Sequence, residues 1–150
     1  MTPKFSLQPV LDYRETRVEI LEIELGRLVQ SQQRGKTFLE ALQSSRNRLL
    51  EEMGERQAGD VDLFMLSRLR SNLQIVNQRI AEQEARLAEL ALRIAEKQEE
   101  IVIAKQDAEA LSKLKEHELG RYRKEEAQRE NRLQDDIYIA RAFRQSNGAA

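Results

Sequence analysis

The chain has no cysteine and no tryptophan, and only two prolines, Pro3 and Pro9, both near its start. The lack of cysteine excludes a disulfide framework and suits a cytosolic protein. Beyond Pro9 no proline interrupts a helix. Aromatic residues make up 5% of the chain, too few for a thick globular core. No uninterrupted apolar run exceeds four residues, as at Ile101 to Ala104, which excludes a transmembrane helix and a signal-peptide core. Charge of one sign is missing as well. The 25 basic and 26 acidic residues are interleaved and leave a net charge of −1. Nucleic-acid binding needs a sustained basic field, and none is present.

What remains is rich in Leu, Ala, Gln and Ile, with 34% charged residues. That mixture reads as long helix or coiled coil. At 150 residues the chain is expected to be one folding unit. One segment looks like a turn, "GERQAGDV", residues 54–61. Its two glycines suit a helix end and a tight connection, and Asp60 or Asp62 can cap the helix that follows. Gly26, Gly35 and Gly120 fall inside strong helical pattern and read as tolerated, each costing about 1 kcal/mol relative to alanine. The expectation is all-α: an antiparallel two-helix coiled-coil hairpin with helix two overhanging. Helix one covers about residues 8–53, the turn 54–61, helix two about 62–143, and a flexible tail 144–150.

The apolar stripes can be counted. Steps of three and four from Val18 pass Leu21, Leu25, Leu28, Gln32, Gly35, Leu39, Leu42, Arg46, Leu49 and Met53, and eight of these eleven are apolar. In helix two the same steps from Leu66 reach Leu111, with twelve of fourteen apolar; Gln83 and Lys97 are the exceptions. This is a heptad repeat with apolar a and d positions. Glu82–Arg86, Glu89–Arg93 and Glu109–Lys113 are i,i+4 pairs in the favourable orientation.

A register follows if the turn is centred near residues 57–58. Facing residues then have numbers totalling about 115. Leu49 faces Leu66, Leu42 faces Leu73, Gly35 faces Ile80, and Gln32 falls opposite Gln83, where two amides can pair. In this register helix one is used up where the stripe of helix two stops, at Leu111. About 32 further residues, roughly 48 Å of helix, are left without a partner in the chain. The segment "KLKEHELGRYRKEEAQRENRLQDD", residues 113–136, carries fourteen charges of nearly balanced sign and suits a lone helix.

Chemistry is not indicated. His117 is the single histidine and sits on an exposed helix without a second group enclosed beside it. No phosphate-binding glycine loop, Cys/His metal spacing, nucleophile elbow or segregated acid pair is present. We therefore expect no enzyme, metal or cofactor, and a protein that acts by contact. Off-seam apolar residues mark where. Phe38 falls at g, Phe64 at f, Met65 at g and Ile75 at c, which makes the turn end a docking candidate. At the other end Phe5, Leu7, Val10, Leu11 and Tyr13 are more apolar than one face requires. Late in helix two Leu133, Ile137 and Ala140 share a stripe, with Tyr138 and Phe143 nearby. That stripe suits a partner or self-association.

The opening "KFSLQPVLDYRETRVE", with Phe5, Leu7, Val10, Leu11 and Arg14, resembles the start of the flagellar export protein FliJ family. "KLKEHELGRYRKEEAQRENRLQDDIYIAR" resembles that family's C-terminal region, with Leu133, Asp135, Asp136 and Ile137 in its ending. The resemblance implies a soluble stalk and chaperone escort of the flagellar type III export apparatus. Its termini end would sit in the export ATPase hexamer, through Phe5, Leu7, Val10, Leu11, Arg14, Arg121, Tyr122, Lys124, Leu133 and Ile137. Its turn end would reach the export-gate membrane protein FlhA through Phe38, Phe64, Met65 and Ile75. The implied location is cytoplasmic, peripheral to the inner face of the cell membrane at the flagellar base. A monomeric hairpin without direct membrane insertion is expected. Two alternatives stay open: the equivalent stalk of a virulence secretion system, and a structural coiled-coil adaptor with no ATPase partner.

Overall fold

The computed structural model describes residues 4–59 and 62–148. Two α-helices follow in order, α1 at Gln8–Ala58 and α2 at Leu63–Gly148, and no strand occurs among the described residues. They pack against each other as the expected antiparallel pair. Contacts divide the chain into two compact units, one formed by Val18–Ile103 and the other by Met1–Arg17 with Ala104–Ala150.

Local chemistry sets the helix ends. Pro9 stands in the first turn of α1, where a missing N–H costs nothing. The Gln8 amide donates to Asp12 Oδ1 at 2.8 Å on the same turn. Asp62 is the cap of α2: its Oδ1 accepts from the N–H groups of Phe64 at 3.0 Å and Met65 at 3.4 Å. Asp60, the other cap candidate, lies outside the described residues. The helices are longer than expected. Gly54 is an interior residue of α1, so the connection is 59–62 rather than 54–61. Gly54 has no neighbour within 4 Å of where a Cβ would stand and φ is not positive, so nothing at this glycine breaks the helix. Residues 144–148, expected as a flexible tail, are the last turn of α2.

In the unit Val18–Ile103 the heptad stripe is the core. Every residue of the α1 series from Val18 to Met53 is buried or half-buried, and so is every residue of the α2 series from Leu66 to Leu111, which extends into the second unit. The stripe was legible, but its register was not. A Cβ on Gly35 would lie 2.7 Å from Leu87 Cδ2, the Gln83 amide donates to the Gly35 carbonyl at 3.1 Å, and Lys97 Nζ meets Glu24 Oε2 at 2.8 Å. The buried residues Leu42 and Ile80, and Leu21 and Ile101, fall in the same order. Facing numbers total about 122, one heptad beyond the expected register. Gln83 is therefore bonded to backbone at Gly35 and not to Gln32.

Two contacts explain why the slipped register wins. Gly35 is not merely tolerated: it lets α2 approach close enough for a side-chain amide to reach a helix carbonyl, whose second lone pair is free to accept. Lys97, a charge in an apolar seam, runs its stem along the interface and places its ammonium between Glu24 and Glu100, at 2.8 and 3.2 Å. The expected register would have set Lys97 beside Arg17 instead. Of the three intrahelical pairs named above, Glu89–Arg93 and Glu109–Lys113 form at 3.0 and 3.2 Å, whereas no ion pair joins Glu82 to Arg86. Such exposed pairs contribute a few tenths of a kcal/mol.

In the unit of Met1–Arg17 with Ala104–Ala150, Leu11 and Leu111 are buried, again totalling 122. The Arg14 guanidinium donates to the Asp107 carbonyl at 2.9 Å. Packing continues past Leu111: Leu119 shares a groove with Lys4 and Phe5, just ahead of α1, and Tyr122 is half-buried as well. From residue 123 to residue 148 every residue is exposed. This overhang is 26 residues, roughly 39 Å of helix, shorter than expected and beginning later.

Candidate interaction surfaces

The residues singled out near the termini divide into two groups. Leu11 is 3% exposed and Arg14 is bonded across the helix pair, so both act inside the fold. Phe5 is half-buried in a shallow groove lined by Lys4, Lys115, Glu118 and Leu119. Its neighbours Leu7 and Val10 remain exposed. On α2, Tyr122 is half-buried, while Arg121 is exposed and only loosely paired with Glu125 at 4.0 Å. Lys124, Leu133 and Ile137 stand on the exposed overhang. Arg121, Lys124, His117 and Gly120 border a second open groove with Glu116. His117 and Arg121 are one helical turn apart there, and both are exposed.

The overhang also shows what the stripe count missed. Ile139 is 63% exposed and shares a different face of α2 with Phe143, well away from the Leu133–Ala140 stripe. Because it is off the stripe's face, a count in steps of three and four along the stripe passes it by. Five large apolar side chains between residues 133 and 143 are exposed, with Leu133 and Ile137 on one face and Tyr138, Ile139 and Phe143 on others.

At the turn end of Val18–Ile103 the exposed apolar residues are Leu63 and Phe64, at 77% and 71%. Leu63 was not singled out from the sequence. The Asp62 cap makes Leu63 and Phe64 the first two helical residues, one turn ahead of the seam, which starts at Leu66. Met65 is half-buried against that seam. Ile75 is exposed three turns further along α2. Phe38 is exposed too, but it stands twenty residues before the end of α1, roughly 30 Å along the helix. The four residues expected to form one patch therefore do not: Phe64 and Met65 share the tip, and Phe38 and Ile75 lie along the flanks.

Among the described residues no group of three or more His, Cys, Asp or Glu side chains is placed to hold a metal, and no buried side-chain nitrogen or oxygen lacks a partner. No described helix is long and apolar enough to cross a membrane. Hydrogen bonds that Lys97 donates to Glu24 and then to Glu100 hold its ammonium above the ordinary lysine value of 10.5.

A family model described as Flagellar FliJ protein matches residues 3–148. The chain belongs to the flagellar FliJ protein family. This FliJ-family chain is thus a flagellar, export-related protein, of a family whose members are non-catalytic export components. No curated protein and no solved structure matches it significantly. Family membership agrees with the surfaces of the described residues, which are long, solvent-facing helical strips.

Proposed function

We propose that this chain is the soluble stalk and chaperone escort of the flagellar type III export apparatus, and that it couples the export ATPase ring to the export gate. Family membership supports the setting. The observation that carries the mechanical reading is the overhang, in which residues 123–148 are helical and wholly exposed. A helix with no cover of its own and an apolar strip at Leu133 and Ile137 suits insertion into a ring of other subunits. Arg121 and Lys124 would meet acidic groups on that ring, and Leu7 and Val10 would add apolar contact from the start of α1. Leu11 and Arg14 would support these by holding α1 on α2 rather than by touching the ring.

Stimulation of the ring would be a coupling free energy. The stalk binds one conformation of an ATPase subunit better than another and biases the cycle, with no chemistry of its own. Leu63 and Phe64 at the turn, with Met65, are the best placed to engage FlhA. Work would take place in the cytoplasm, against the inner face of the membrane at the flagellar base. Reconstitution with the cognate export ATPase tests this. Hydrolysis and ring assembly should rise on adding the chain and fall back when residues 123–148 are deleted. An ATPase indifferent to both would favour an adaptor without an ATPase partner.

A further inference from the structure

The overhang has a second property that does not depend on any ring. At 100° per residue, Glu126, Leu133, Ile137, Ala140 and Arg144 fall within an arc of about 60° on one face of α2. Glu130 and Arg141 border that arc on one side, and Arg132 and Asp136 on the other. All are exposed, and among the described residues no ion pair within the chain engages Glu126, Glu130, Arg132, Asp136, Arg141 or Arg144. The face therefore has an apolar centre, an acid at one end, a base at the other, and unspent charges along both borders.

That arrangement is complementary to its own reverse. We propose that residues 123–148 form an antiparallel, two-fold pairing with the same segment of a second copy of this chain. Centring the axis near residue 135 sets Leu133 against the partner's Ile137 and Glu126 against the partner's Arg144. In an antiparallel pair like borders meet, so Glu130 faces the partner's Arg141 and Arg132 faces the partner's Asp136. Two-fold symmetry repeats each contact, giving six charge contacts of opposite sign around two Leu–Ile contacts. A parallel pair would instead set Glu126 beside the partner's Glu126 and Arg144 beside the partner's Arg144, which is repulsive at both ends. Seven turns of helix with a short apolar centre make a small interface, so the pairing is reversible and dependent on concentration. Pairing supplies the cover that these residues lack within the chain. While paired, Leu133 and Ile137 are hidden from every other partner.

Sedimentation equilibrium of the full chain tests the pairing. The mass should climb with concentration from 17.5 kDa toward twice that value. Glu126→Arg should weaken association by about tenfold, the change expected of roughly 1.4 kcal/mol, and Glu126→Arg combined with Arg144→Glu should restore it. Direction is tested separately, since the chain has no cysteine to confuse the result. A Glu126→Cys chain mixed with an Arg144→Cys chain should oxidise to the mixed dimer in preference to either homodimer. A chain that stays monomeric at high concentration, a charge swap that fails to restore association, or preferential homodimer cross-links would each overturn the proposal. Leu133→Ala with Ile137→Ala should abolish association without lowering helicity of the packed residues, which separates lost pairing from lost folding.

Discussion

The packed residues 18–103 and the overhang 123–148 are built from similar stock, and both are continuous helix, yet only the first has an inside. In Val18–Ile103 each turn delivers one residue to the seam, down to Leu21 at 2% exposure. In 123–148 no residue is even half-buried. The difference teaches that helix and packing are separate decisions. Propensity and the absence of breakers suffice to write a helix. Burial requires a partner surface in register, and beyond Tyr122 no described residue has one.

The contrast can be broken most forcefully at its core. Leu21→Ala or Ile80→Ala should cost about 2–4 kcal/mol by chemical denaturation, because each empties a buried seam site. The same truncation at Leu133 should move stability by no more than about 0.5 kcal/mol at concentrations where the chain is monomeric. Equal losses at the two places would show that the overhang is packed after all. A second pair concerns glycine. Gly35→Leu should destabilise by about 1–3 kcal/mol through overpacking against Leu87, whereas Gly26→Ala and Gly120→Ala, which have open space, should stabilise by about 0.5–1 kcal/mol each.

Smaller effects sharpen the same picture. Asp62→Ala should cost about 1 kcal/mol by removing the cap of α2, with thermal melting as the readout. The least of them is the pH response of Lys97. Its folded value lies above 10.5, so the stability from its pairing is fully present below the unfolded value and is lost as pH rises through the folded one. Between about pH 9 and pH 12 the melting temperature of the native chain should fall slightly more than that of Lys97→Met. Equal falls would remove Lys97 from the account.

Much of this was readable from residue order. Every residue of the series Val18 to Met53 and Leu66 to Leu111 is buried or half-buried, and Asp62 serves as the cap that its spacing suggested. The register was misread because Gln32 and Gln83 looked like a pair. The better signal was charge: Lys97 needs an acid across the seam, which Glu24 supplies only when facing numbers total about 122. Among surface candidates, Leu11 and Arg14 carry the family's opening pattern yet are spent inside the fold, and Leu63 emerges only once the cap fixes where α2 begins.

A local pattern is enough to specify two long helices and the face each turns inward, since periodicity of three and four residues is a property of neighbours along the chain. It does not specify which residue meets which. A heptad stripe slid by seven residues still matches itself, so apolar periodicity is silent on register. The close approach at Gly35, the Lys97 bridge and the four-residue connection at 59–62 select one register, and with it the point where the chain ceases to cover its own helix.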